Sequence, residues 1–252
     1  MSRERSFRTE AIILKRRDFG EADRLLTIIT PEHGKRDVIA KGARKVLSTK
    51  TGHVEPFTLA DMLIHRGREL DIAAQVEMLN PFVELREDLQ RGAYGHYVAE
   101  LMDRFVIDAD EELDDAFALL KATLQHLCTD DDPRRVVRYY EMHLLDIVGF
   151  RPELQECVLT HEDILPEDQF FSYAEGGIVS PKAAHLAPHA SPVSLNALKL
   201  MRFIQRSPYS QLANLHIAPG LHAEIERLML GYITFLLEKR LQSVDFIRRI
   251  RK

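Results

Sequence analysis

The chain reads as an α+β protein: a small N-terminal β-barrel, then an all-α helical body that carries an irregular insertion. Three observations predict this. Residues 7–79 are a succession of short, β-branched apolar runs separated by turn signals. After Pro81 the apolar residues recur at the helical repeat. Residues 150–192 then break that repeat with five prolines and the pair Gly176-Gly177.

The elements follow in order. Glu10 to Arg17 is an apolar run, AIIL, with charged flanks, and Arg24 to Thr30 is a β-branched run that stops at Pro31. Gly34 supplies a hairpin turn before a third strand, Arg36 to Lys41. Phe57 to His65 and Glu69 to Leu79 are the last two strands, parted by Arg66-Gly67-Arg68. Five strands in residues 1–80 leave no room for crossover helices, which points to a five-stranded OB-fold barrel, with an SH3-like barrel as the structural rival. Residues 81–252 form the second domain. Helices are expected at Val83 to Phe105, Glu112 to Leu127 and Arg134 to Val148, the last opened by Asp132-Pro133 and closed by Gly149. The insertion at about 150–192 has room for a hairpin across FFSYAEGGIVS. Ser194 to Arg206, Leu221 to Leu241 and Val244 to Arg251 complete the helical set.

Composition narrows the function classes. The 252 residues are 45% hydrophobic and 29% charged, as in a soluble globular protein. No apolar run reaches the ~18 residues of a spanning helix, and MSRERSFRTE has no apolar stretch after its charges. A cytoplasmic protein without membrane contact is expected. Cys128 and Cys157 are expected as free thiols. The formal net charge is −5, unevenly spread: residues 1–80 carry 15 Lys+Arg against 12 Asp+Glu, and residues 81–252 carry 19 against 27. A basic front on an acidic body fits a polyanionic ligand at one end; solvated strand faces give the same count.

Signatures of covalent chemistry are missing. The sequence has no P-loop, no GxGxxG after a strand, no HExxH and no GxSxG, so no enzyme is expected. His161, His185 and His189 near Cys157 are candidate metal ligands, or loop histidines around a buried thiol. The acidic run Asp108 to Asp115 lacks the spacing of a calcium loop and suits a helix N-terminus. The N-terminal cations say more. Lys15, Arg16 and Arg17 close the first strand, Arg24 opens the second, Lys35 and Arg36 flank the hairpin, and Lys41, Arg44, Lys45 and Lys50 lie in GARKVLSTKTG. Phosphate contact needs Lys and Arg at no fixed spacing. Base-stacking aromatics are sparse: Phe7, Phe19 and Phe57, with no Trp. An electrostatic, salt-sensitive mode of single-strand binding is expected.

Glu10 to Lys45, with Ala40-Lys41-Gly42-Ala43-Arg44 at its end and Glu55-Pro56-Phe57-Thr58 beyond, resembles the N-terminus of RecO DNA-repair proteins. YYEMHLLDIVGFRPEL followed by a cysteine resembles the family's long helix and the start of its zinc-binding insertion. The likeness covers the whole chain. Many members carry two Cys pairs in that insertion. Here Cys157 alone remains, with Thr160, Ser180 and Ala183 at the other positions. One ligand of four puts zinc in doubt, and no cofactor is expected.

The resemblance implies a non-enzymatic mediator of recombinational repair at the nucleoid. Such a protein binds single- and double-stranded DNA, anneals complementary strands without ATP, binds RecR, and helps RecA replace single-stranded DNA-binding protein. DNA contact falls to Lys15, Arg16, Arg17, Arg24, Lys35, Arg36, Lys41, Arg44 and Lys45. The acidic, apolar-ended C-terminal tail of single-stranded DNA-binding protein needs an apolar pocket rimmed by cations. Arg138, which matches a basic family position, is the first candidate for it, with Arg240 and Phe246 after it. Arg138 pairing at the surface with Glu141 or Asp132 is the other reading. Two further classes remain: a scaffold whose barrel binds an acidic peptide, and a metal-dependent nuclease using the acids at 108–115.

Overall fold

The computed structural model describes residues 5–45, 51–107 and 113–250. Five strands make a closed barrel: β1 (Ser6–Phe19), β2 (Asp23–Thr30), β3 (Gly34–Ala40), β4 (Leu59–His65) and β5 (Asp71–Asn80). Around the barrel the order is β1-β2-β3-β5-β4, closed by β4 on β1. All neighbours are antiparallel except β3 and β5, which pair in parallel at Val38↔Asp71 and Ile39↔Ile72. That crossover is the Greek-key order of the OB-fold and sets aside the SH3-like alternative.

The barrel fills because inward positions alternate. Phe7, Ala11 and Ile13 of β1 meet Leu26 and Ile28 of β2, Val38 and Ala40 of β3, and Met62 and Ile64 of β4. The AIIL and LLTIIT runs are apolar on both parities because both faces of β1 and β2 are covered. Ile12, Leu25 and Ile29 are buried on the outer side, where α2 (Leu89–Phe105) packs on β1 and α3 (Asp114–Thr129) on β2. One helix was expected over Val83 to Phe105. Two are found, because Asp88 leaves helical geometry (ψ 117°) to end α1 (Glu84–Glu87), and its carboxylate accepts from Gln90 N and Arg91 N at the head of α2.

The chain forms two compact units. The first is residues 1–129 with 243–252, so it holds the barrel, α1–α3 and the C-terminal helix α8 (Gln242–Ile250) from Ser243 onward. Ser243 N and Oγ both donate to Glu100 Oε2 of α2, at 2.9 and 2.6 Å. The barrel ends at Asn80, but its unit runs on through α3.

The second unit, residues 130–242, packs α4 (Pro133–Ile147), α5 (Leu195–Arg206), the short α6 (Tyr209–Leu212) and α7 (Pro219–Leu237). Asp132 caps α4 ahead of Pro133, as its sequence proposes. The insertion is less irregular than expected: β6 (Gln169–Ser172) and β7 (Gly177–Val179) make the hairpin, and β8 (Ser191–Val193) adds a third strand. α7 begins two residues before the expected Leu221, at Pro219 in its first turn, and stops four residues short of Leu241, at a left-handed Glu238.

Candidate nucleic-acid interface

Strand parity decides which cations reach the outer face of β1–β3. Along β1 the odd residues through Ile13 point inward. Between Ile13 and Lys15 the register with β2 slips by one, so Leu14 is a bulge. Past it the parity reverses. Arg16 now stands opposite Leu26, a barrel-interior residue, and Lys15, Arg17 and Phe19 face outward. A regular strand would have turned Arg16 and Asp18 outward instead.

The AKGAR segment locks the end of the barrel where these side chains emerge. Ala40 and Ala43 plug the barrel interior. Gly42 sits at φ +69°, a conformation that favours glycine, and its N–H donates to Asp23 Oδ1 at 2.7 Å. Arg44 N donates to Ala22 O (2.9 Å), and its guanidinium reaches Gly20 O and Asp18 Oδ2 at 3.3 and 3.4 Å. The β1–β2 turn is therefore clamped to the segment after β3. Glu55 of the EPFT motif bridges Arg16 (2.9 Å) and Arg24 (3.1 Å). Phe57, with φ +69°, is core: it packs edge-on to His96 and against Gly95, where a Cβ would stand 3.3 Å from its ring.

The nine expected DNA contacts thus fall into three settings. Arg16, Arg24 and Arg44 are ion-paired at the barrel mouth. Lys15, Lys35 and Arg36 line a cleft of about 440 Å³ with Asp37, Asp71 and Asp103. There Lys15 Nζ meets Asp103 Oδ2 at 2.7 Å, Lys35 Nζ donates to Asp103 O at 2.6 Å, and Arg36 meets Asp71 at 3.2 Å while lying over the Phe7 ring. Arg17, Lys41 and Lys45 are exposed, with no ion-pair partner among the described residues. Lys50 lies outside the described residues, as do residues 108–112 of the acidic run, while Asp114 and Asp115 open α3. Arg86 escaped the sequence reading: it donates to Thr58 Oγ1 at 2.6 Å, near Arg16 and Glu55, from a helix start with no distinguishing signal.

The tail-binding candidates are dispersed. Arg138, in α4, is 5% exposed and meets the buried Glu141 at 3.0 Å; its Nε and Nη1 have no partner among the described residues. It pairs with Glu141 as the plainer reading held, but inside the unit rather than at its surface. Next to it His222 Nε2 lies 2.9 Å from Asp132. Arg240 is exposed after α7, in the same unit. Phe246 is partly exposed on α8, in the other.

The insertion brings together Cys157, Thr160, Ser180 and Ala183, the positions that the resemblance aligns with zinc ligands. Cys157 Sγ accepts from Ser180 N at 3.4 Å and from the Thr160 hydroxyl and backbone, and Ala183 is buried nearby with its N–H on Ser180 O. A thiol, two hydroxyl side chains and a methyl do not fit zinc. Burial pushes the Cys157 thiol up, but the donors of Ser180, Leu159 and Thr160 outweigh it and bring it down to about 6. His161, His185 and His189 are exposed, and no group of three metal-binding side chains occurs among the described residues.

A Greek-key barrel with exposed cations on its β1–β3 face, beside the β1–β2 and β4–β5 loops, belongs to the OB-fold class, whose members lay oligonucleotides across that face. The comparisons narrow the class. Residues 1–82 match the family described as recombination protein O, N-terminal, and residues 86–245 its C-terminal counterpart. A protein named DNA repair protein RecO from Roseiflexus sp. strain RS-1 is 40% identical over 250 residues, 99% of this chain and 88% of the relative. Like-named proteins of Dehalococcoides mccartyi strain 195 and Desulforamulus reducens are 34% and 32% identical; they align with 95% and 98% of this chain and 94% and 95% of their own lengths. The chain belongs to the RecO family.

Proposed function

We propose that this RecO-family protein acts in recombinational DNA repair without covalent chemistry. It binds single- and double-stranded DNA on the outer face of β1–β3, anneals complementary strands, and with RecR helps RecA replace single-stranded DNA-binding protein. The observation that carries the reading is the exposed trio Arg17, Lys41 and Lys45 at the clamped end of an OB barrel. Among the described residues no carboxylate pairs with them, which leaves their charge available to phosphate, and annealing needs such a surface to screen the repulsion between two backbones. The ion-paired cations form a second tier. Exposed pairs such as Lys15–Asp103 contribute only about 0–1 kcal/mol, so a phosphate can displace the carboxylate.

The partner tail is assigned to the second unit. Arg138 supports this, because two buried guanidinium nitrogens without partners among the described residues are what an incoming carboxylate would satisfy. Arg240 and Phe246 remain separate candidates. The protein works in the cytoplasm at the nucleoid. No helix among the described residues is long and apolar enough to cross a membrane.

The test is annealing of complementary oligonucleotides coated with the cognate single-stranded DNA-binding protein, without ATP. Acceleration is the expected result. If neither coated nor naked strands anneal faster and DNA affinity does not depend on salt, the barrel is an acidic-peptide scaffold instead.

A further inference from the structure

The barrel has three phenylalanines, and their surroundings differ. Phe7 is buried beneath Arg36 and Arg66, whose guanidinium carbons lie 5.6 and 5.1 Å from its ring centroid. Phe57 is core. Phe19 is 40% exposed at the last position of β1. A single exposed apolar side chain is ordinary and by itself says nothing. Its company does. The Leu14 bulge puts Phe19 on the same face as Arg17 and Lys15, at the turn that Arg44 clamps. Its cross-strand partner Asp23 is occupied in capping Gly42. Two residues along a strand span roughly 7 Å. One nucleotide can therefore set its phosphate on Arg17 and its base on the Phe19 ring.

From this placement we infer that Phe19 is the base-stacking platform of the interface and the residue that favours single-stranded over duplex DNA. The inference rests on the DNA-binding reading above. In a duplex the base faces are stacked on one another and closed to the ring, while the phosphates stay available to Arg17, Lys41 and Lys45. Phe19 therefore adds affinity for single strands alone, and none of the salt dependence, which counts phosphates neutralised.

The experiment compares full-length wild type, Phe19→Ala and Phe19→Tyr by fluorescence anisotropy, with labelled oligo(dT) and a duplex of equal length across a salt series. Phe19→Ala is expected to weaken oligo(dT) binding about tenfold, leave duplex affinity within about twofold, and keep both salt slopes. Phe19→Tyr keeps the ring and restores oligo(dT) binding. Phe19→Ala binding oligo(dT) as wild type does, or losing single-strand and duplex affinity in parallel, overturns the platform while leaving DNA binding in place. Wild type without salt-dependent affinity for either DNA defeats the functional reading itself.

Discussion

At the scale of single residues, what a cation can do for DNA depends on what already holds it. Lys15 is neutralised locally by Asp103, whereas Lys41 faces water without an ion-pair partner among the described residues. Phosphate binding at Lys41 adds a full neutralised charge, but at Lys15 it only exchanges one anion for another. Lys41→Ala should therefore reduce the slope of log affinity against log salt for single-stranded DNA by about 0.7; Lys15→Ala should reduce it by less. Equal reductions would mean that the Asp103 pair opens freely. Arg138 calls for a different design. Its removal leaves Glu141 buried without this cation, and breaking such a pair costs about 3–5 kcal/mol. Arg138→Ala is expected to lower the urea midpoint sharply, which obscures any effect on tail binding. Arg138→Met with Glu141→Leu removes both charges and should recover most of the stability. Loss of tail-peptide affinity in that double variant, with the fold intact, would tie Arg138 to the tail; full affinity would release it from the role.

At the scale of elements, Asp88 shows how little is needed to divide a helix. Leu85 and Leu89 keep the four-residue spacing of one helix, so periodicity runs straight through the break. The carboxylate's bonds to Gln90 N and Arg91 N decide otherwise. Asp88→Ala should cost about 1 kcal/mol, read as a lower urea midpoint at unchanged slope. An unaltered midpoint would show that tertiary packing alone holds the head of α2. The barrel was legible because alternating β-branched runs and glycine turns are short-range signals, and its strands lie within a few residues of their expected places. What escaped depends on pairing. The Leu14 bulge exists only relative to β2 and has no signature in the AIIL run, yet it selects Lys15 and Arg17 over Arg16 for the outer face. β8 is three residues around Pro192, acceptable at a sheet edge and too short to read alone. The carboxylates that occupy the cations, Glu55, Asp71 and Asp103, come from distant segments, so the basic stretch looked freer in sequence than it is.

At the scale of the whole molecule, pH dependence gathers groups from both units in one direction. His96 in the first unit, and His143 and His222 in the second, are all held below the ordinary histidine range by burial, which disfavours the charged ring; nearby carboxylates offset this only in part. Each binds a proton less readily folded than unfolded. The stability this contributes is complete above the unfolded value of about 6.5 and is lost as pH falls below it. Cys157 has the same sign in a higher window. With its thiol brought down to about 6 from the ordinary value of 9.0, its contribution is complete above 9 and is lost as pH falls toward 6. Cys128, pushed up to about 12 mainly by burial, acts the other way only above pH 9. The melting temperature should therefore fall steadily from pH 8.5 to pH 5.5. Cys157→Ser should flatten the part between pH 8.5 and 6.5 and leave the histidine part below it. A wild-type profile level across the range would mean that the buried rings and the Cys157 sulfur titrate as they do in the unfolded chain, so that their surroundings favour neither protonation state.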